Sequence, residues 1–277
     1  MQRTQRATIA KETVDILERG YYTAPSGLTI DISGDLRHAV EGSRLYRPTN
    51  FPQQIGGCGA EPDLSSGMAI DVTAETTLEA ARRLSLAGHP DICCLNFASA
   101  KNPGGGFLSG SQAQEESLAR SSGLYACIAP IREMYDYNRS LGTSLYSDYM
   151  IYSPAVPVFR NDEGDLLESP YSISIITSPA VNAGAVRQNE PNRVPQIRPT
   201  LAARMEKLLW VASEQRQRTL VLGAWGCGVF ANDPAMIAEL FHDALGPGGK
   251  FNGCFDRIVH AVYDRSPGQA VLAAFGR

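Results

Sequence analysis

The residues best suited to chemistry are two adjacent carboxylates, Glu115 and Glu116, which follow Gln114. Seven positions separate that trio from the run Gly104-Gly105-Gly106. A pair of carboxyl groups is the usual equipment for proton transfer during glycosidic bond cleavage. Three consecutive glycines carry a high chain entropy, so the run makes sense where backbone must approach a ligand closely or take positive φ. The same residues also have a plain structural meaning. Acidic side chains in a helix's first turn complement its dipole, and Ser111 and Gln114 are spaced to form a capping box. Taken alone, the pair fits a solvated helix start as well as a site.

A second glycine-rich stretch is Gly223-Ala224-Trp225-Gly226-Cys227-Gly228-Val229-Phe230. Between a strand and a helix, such a loop can converge backbone N–H groups on a diphosphate at the positive end of the helix. Phe230 would pack against a ribose or a base. The stretch lacks the Lys-Ser/Thr of a P-loop, and its glycine spacing is not the dinucleotide fingerprint. A tight turn is its ordinary alternative. Gly246-Pro247-Gly248-Gly249-Lys250 also fails as a P-loop because Phe251 follows the lysine, and it reads as a turn.

The elements that must position these loops follow from periodicity. Ile9, Thr13, Ile16 and Leu17 recur at helical spacing, and Gly20 offers a stop. Residues 21–70 are rich in Gly, Pro and Ser, with Gly56-Gly57-Cys58-Gly59 as a loop. From residue 71 strands and helices alternate. Thr76 or Thr77 caps a helix running to about Leu86, and Ile92 to Asn96 is a strand buried on both faces. A helix is predicted from about Gln112 to Ser122. Tyr149 to Arg160 and Ser172 to Thr177 are extended, and a polar loop is expected over 178–199. Leu201, Met205, Leu208 and Leu209 mark a helix. Thr219 to Leu222, Pro234 to Leu245 and Arg257 to Val262 follow as strand, helix and strand. This pattern predicts an α/β domain with helices on both faces of a largely parallel or mixed sheet. Both glycine loops then lie beyond strand C-termini, where such sheets bind ligands. Residues 1–70 read as an extension packed on a main domain of residues 71–277.

Composition narrows the function classes. The 277 residues are 43% hydrophobic and 19% charged, enough for a large buried core, and the net charge of −4 argues against broad capture of nucleic acid. The six cysteines include no C-x-x-C pair and the four histidines are scattered, so no metal site is expected. Adjacent Cys93 and Cys94 should point to opposite faces of a strand. The isolated thiols suggest packing residues in a reducing compartment. No apolar leader or membrane span is evident, and the chain reads as cytoplasmic, with no membrane partner.

Taken together, the two loops resemble a known family. G-G-G followed after six to eight residues by Q-E-E is the signature of poly(ADP-ribose) glycohydrolases. It stands here as Gly104-Gly105-Gly106 and Gln114-Glu115-Glu116. The segments YSDYMIYSPAVPVFR at 146–160, ITSPAVNAG at 176–184 and GAWGCGVFAND at 223–233 are similar to the compact bacterial-type branch, so the resemblance covers about residues 70–265. It implies a macrodomain, a three-layer α/β/α sandwich with a mixed central sheet, here with a partly helical N-terminal extension.

The resemblance further implies hydrolysis of the ribose–ribose O-glycosidic bond of poly(ADP-ribose), released from chain ends as ADP-ribose. Glu116 would act as acid and base through an oxocarbenium-like transition state, and Glu115 would bind ribose hydroxyls. Acid work near neutral pH calls for a raised carboxyl pKa, supplied by like-charged neighbours and partial burial. Gly104, Gly105, Gly106, Gln114 and Asn102 would line the distal ribose side. Gly226, Cys227, Gly228 and Val229 would give N–H donors to the diphosphate, with Phe230 on the distal ribose. Asn96 is a further polar contributor. Ser99 stands where eukaryotic relatives carry asparagine, so no catalytic role is given to it. Glu75 or Thr76 is a candidate for adenine. Tyr22, Tyr46 and Phe51 either close the pocket or pack in the core. No cofactor is implied. The expected partners are poly(ADP-ribose), ADP-ribose and ADP-ribosylated carrier proteins, in reversal of ADP-ribosylation after DNA damage. The alternative is a macrodomain that only binds ADP-ribose or removes single ADP-ribosyl groups.

Overall fold

The computed structural model describes residues 1–58 and 67–276, so Gly59 of the predicted glycine loop lies outside the described residues. Nine strands are found among them: β1 (Tyr21–Thr23), β2 (Thr29–Asp31), β3 (Arg44–Tyr46), β4 (Ala69–Thr73), β5 (Ile92–Phe97), β6 (Met150–Arg160), β7 (Leu166–Ser178), β8 (Thr219–Leu222) and β9 (Arg257–Ala261). β1 and β2 form a small hairpin; the other seven form one sheet in the order β3-β6-β7-β5-β8-β9-β4. Strands β7, β5, β8, β9 and β4 run parallel, while β6 is antiparallel to both β7 and β3. The sheet is therefore mixed, as the sequence pattern predicts.

Strand β5 is buried along its length because helices cover both sides of it. Cys93 packs in the core beneath α7 (Ala183–Asn189), α8 (Ile197–Glu214), α9 (Pro234–Leu245) and α10 (Ala270–Phe275). Cys94 faces the other core, under α2 (Ser33–Gly42), α3 (Thr77–Leu86), α4 (Gln114–Ser121), α5 (Leu124–Ile128) and α6 (Arg132–Ser140). The two-residue period of a strand sends the adjacent thiols to opposite layers, which gives the three-layer α/β/α architecture. Helix α1 (Arg3–Arg19) lies beside the second layer, where Ala10 packs on Phe107 and Ala119.

Two expectations need correction. The polar stretch 178–199 is not a loop: it holds α7, a 3-10 turn over Pro191–Gln196 and the start of α8. The Asn182 side chain accepts from the Ala185 N–H and caps α7, so a polar composition conceals a capped helix. Cys58 and Cys254 are not isolated thiols but a disulfide spanning 196 positions, formed because the segment after β3 is folded back onto the turn before β9. Such a long closed loop removes chain entropy from the unfolded state. Within residues 21–70, β3 forms one edge of the sheet beside β6.

Tyr22, Tyr46 and Phe51 of that stretch pack in or against the core, while Tyr21 is exposed. Tyr22 is fully buried against Phe159, with its hydroxyl donating to the Leu167 carbonyl. Tyr46 and Phe51 cluster with Trp210 of α8. Among the described residues no helix is long and apolar enough to cross a membrane.

Candidate active site

The end of β5 and the start of α4 are joined by one side chain. Gln114 Oε1 accepts from the Phe97 N–H at 2.8 Å, and its Nε2 donates to the Leu95 carbonyl at 2.7 Å and to Thr77 Oγ1 at 3.1 Å. The amide extends the strand's hydrogen-bonding edge by one rung and fixes the helix start beyond it. The predicted capping box is absent: Ala113 is the N-cap of α4, and no side chain caps it. Gln114 is engaged with the strand, so it cannot also turn back on its own helix.

This anchoring sends the two glutamates in different directions. Glu115 is buried at 2% exposure. Its Oε2 accepts from the Ser99 N–H at 2.6 Å and its Oε1 from Asn96 Nδ2 at 3.3 Å. Desolvation by burial pushes the Glu115 carboxyl up to about 8, partly offset by those two donors and reinforced by Glu116. Glu116 is half-buried, and its Oε1 accepts from the Gly106 N–H at 3.0 Å. The raised carboxyl is thus the inner one, because the pair's first member bonds to Asn96 and the Ser99 backbone and its second to the glycine run.

Gly105 lies between them at φ +58°. A Cβ there would sit 2.4 Å from Glu116 Oε1 and 3.3 Å from Glu115 Oε2. The glycine run therefore serves both the left-handed backbone and the close approach of two carboxyls. Asn102 is exposed, with its carbonyl accepting from the Gly105 N–H and its N–H donating to Ser99 Oγ.

Helix α1 holds the segment between the glycines and Gln114. Arg3 Nε donates to the Ser109 carbonyl at 3.0 Å and Arg6 Nε to the Gly110 carbonyl at 2.8 Å. Thr13 bonds the Arg120 carbonyl, and Arg120 in turn bonds the Ser111 carbonyl. Sequence reasoning gave Arg3, Arg6 and Arg120 no role at the site, because nothing in their spacing links positions more than 100 apart in the chain.

The second glycine loop follows β8, which neighbours β5, so the two loops meet at one end of the sheet. Trp225 is fully buried, its indole donating to the Ser178 carbonyl at 3.0 Å. Asn232 Nδ2 spans the loop to the carbonyls of Val181 and Gly226. Gly226 is required: at φ +72° a Cβ would lie 2.5 Å from both Ala180 Cβ and Asn232 Nδ2. Val229 is 86% exposed, and the backbone N–H groups of Gly228, Val229 and Phe230 find no acceptor among the described residues. Desolvation pushes the Cys227 thiol up to about 12, and the Cys227 N–H, expected to meet the diphosphate, is instead donated to the Ala224 carbonyl at 3.1 Å. Phe230 stacks obliquely on Tyr146, 5.9 Å between centroids.

Glu75 and Thr76 are committed elsewhere. Glu75 pairs with Arg83, while Thr76 caps α3 and bonds Asp162. Among the described residues no group of His, Cys, Asp and Glu is arranged to hold a metal ion.

The raised Glu115 carboxyl has a consequence for stability. The unfolded chain releases this proton near 4.5 and the folded protein near 8, so the folded state binds more protons between those values. Stability contributed by this group is complete below pH 4.5, declines as pH rises to about 8, and levels off above it. Glu115→Gln should therefore flatten the loss of melting temperature between pH 5 and pH 8 by roughly the effect of a few kcal/mol. Parallel melting curves for both proteins across that range would refute the assignment.

Comparison with known proteins shows what the chain is similar to. Residues 10–161 match the family described as "Microbial-type PARG, catalytic domain". The crystal structure of poly(ADP-ribose) glycohydrolase from Thermomonospora curvata is 51% identical, covers 99% of each chain and superposes with a TM-score of 0.94. The same enzyme bound to the inhibitor ADP-HPD is 50% identical over 99% of each chain, with a TM-score of 0.91. Poly(ADP-ribose) glycohydrolase from Deinococcus radiodurans in complex with ADP-ribose is 46% identical, covering 87% of this chain and 95% of that one, with a TM-score of 0.78. No curated protein sequence matches.

Proposed function

The chain belongs to the microbial-type poly(ADP-ribose) glycohydrolases, and from that premise we propose how its own residues perform the hydrolysis. Its macrodomain-like fold is a glycosidase scaffold, and the substrate is poly(ADP-ribose). One observation carries the assignment of residues: two carboxyls converge on Gly105, while in the second loop the N–H groups of Gly228, Val229 and Phe230 find no acceptor among the described residues.

In the proposed reaction the terminal ADP-ribose lies along both loops. The N–H groups of Gly228, Val229 and Phe230 bind the diphosphate, with Gly226 and Cys227 shaping the turn, and the Phe230 ring packs on the distal ribose. Gly104 to Gly106 and Asn102 border that ribose. Glu115, holding a proton at neutral pH, donates to one ribose hydroxyl and accepts from another. Glu116 gives its proton to the departing 2′-oxygen as the anomeric C–O bond breaks, and the electron pair leaves with that oxygen. Water then adds to the oxocarbenium carbon and returns a proton to Glu116. Gln114 keeps both carboxyls in register with β5.

The remaining assignments belong to the same proposal. The unit removed is the chain-terminal one, and carrier proteins bearing the polymer are the wider partners. Residues 1–70 are an extension of a catalytic domain at 71–277, and the protein acts in the cytoplasm in reversing ADP-ribosylation after DNA damage. In a reducing compartment Cys58–Cys254 would open, so the fold would have to stand without it.

Product analysis tests the mode of cleavage. Chain-end attack should release monomeric ADP-ribose from the first minutes, as read by ion-exchange chromatography with mass detection. Early accumulation of oligomers would refute it.

A further inference from the structure

Two cations lie beside the Tyr146–Phe230 aromatic pair. Lys101 Nζ lies 6.0 Å from the centroid of the Tyr146 ring, whose other contact is Phe230. Next to Phe230, Arg187 Nη1 donates to the carbonyl of Ala231, the following residue, at 2.8 Å. Both side chains are exposed, and neither has a carboxylate within ion-pairing distance among the described residues. The acidic groups nearby are already engaged. Glu190, which faces Tyr146, accepts from the Ser144 N–H and pairs with Arg193 at 3.6 Å. Asp136 pairs with Arg139, which also donates to the Lys101 carbonyl and so steadies the backbone bearing that lysine.

The position of this arc relates it to the reaction. Lys101 follows Ser99 by two residues, and the Ser99 N–H is bonded to Glu115. The first cation therefore stands at the scissile end of the cleft, where the rest of the polymer must leave. The leaving 2′-oxygen belongs to the adenosine ribose of the adjoining unit, whose diphosphate is one sugar away and carries two negative charges.

We propose that Lys101 and Arg187, beside the Tyr146–Phe230 pair, form a subsite for the diphosphate of the polymer unit next to the one being removed. The inference rests on the proposed orientation of the terminal unit. A contact at the edge of cation–π range leaves Lys101 free to exchange the ring for a phosphate. A protein of net charge −4 gains most from placing its unpaired cations where an anionic chain must pass.

The test compares wild-type protein with the double variant Lys101→Glu/Arg187→Glu. Charge reversal should raise KM about tenfold, at the low end of electrostatic steering effects, both for long poly(ADP-ribose) and for the two-unit oligomer. The difference should shrink at high salt, since exposed charges are screened. Affinity for free ADP-ribose, measured by calorimetry, should change less than about twofold, which also shows the variant to be folded. A KM that rises for long polymer alone would replace the subsite with diffuse attraction, and an unchanged KM for both would overturn it. A parallel loss of ADP-ribose affinity would place the cations in the terminal pocket and overturn the proposal. Wild-type protein that released no ADP-ribose would instead sink the parent reading.

Discussion

Glu116→Gln is expected to lower kcat for ADP-ribose release by about 10³-fold, the middle of the range for general acid–base catalysis. Glutamine keeps the shape of the side chain and an oxygen to accept from the Gly106 N–H, so the loop should stay in place. It has no proton to give the leaving 2′-oxygen and cannot take one from water. Affinity for ADP-ribose should change only about threefold, because the N–H groups of the second loop do not depend on this side chain. Steady-state kinetics on poly(ADP-ribose) with calorimetry on ADP-ribose separates the two quantities. Activity within a few-fold of wild type would mean that Glu116 does not transfer the proton, and the inner carboxyl, Glu115, would take its place.

The second large effect is expected from a residue with no side chain. Gly105→Ala puts a methyl group 2.4 Å from Glu116 Oε1 and 3.0 Å from its Cδ, at a φ of +58°. The left-handed backbone costs an alanine about 1 kcal/mol. The clash falls on the free end of a flexible side chain, so the fold accommodates it by swinging the carboxylate aside. Catalysis cannot, since a misplacement of about 1 Å at a reacting group is worth roughly 10²-fold in rate. Gly105→Ala should therefore lose about 100-fold in kcat while its melting temperature falls by only a few degrees. Gly228→Ala is the matched control, because its Cβ would meet nothing within 4 Å and its φ is not positive. Should Gly105→Ala keep wild-type kcat, the close packing of Glu116 on the glycine run would have no part in the reaction.

How much of this was legible beforehand varies by element. Strand β5, with its apolar run, and strand β8 lie where periodicity predicts them, so both glycine loops come at strand ends. The helix over Gln114–Ser121 was legible too, although its start was misread as a capping box. A capping box needs only local spacing, whereas Gln114 is drawn to the open edge of β5 by an unsatisfied Phe97 N–H and Leu95 carbonyl. The helix in 183–189 was missed because its only start signal is Asn182.

The glutamate pair divides along the same line. Sequence determined that two carboxyls follow a glycine run at a strand's end, and the resemblance gave them unequal roles. Residue type, spacing and side-chain alternation are fixed by covalent geometry within a few residues. Only the tertiary structure decided which carboxyl is desolvated, and it is Glu115, packed beside Asn96 and the Ser99 backbone. It also decided that α1 grips Ser109 and Gly110, that Cys58 reaches Cys254, and that Lys101 and Arg187 lie beside one aromatic pair. Burial and charge pairing depend on groups brought together from distant parts of the chain, and no local pattern encodes their meeting.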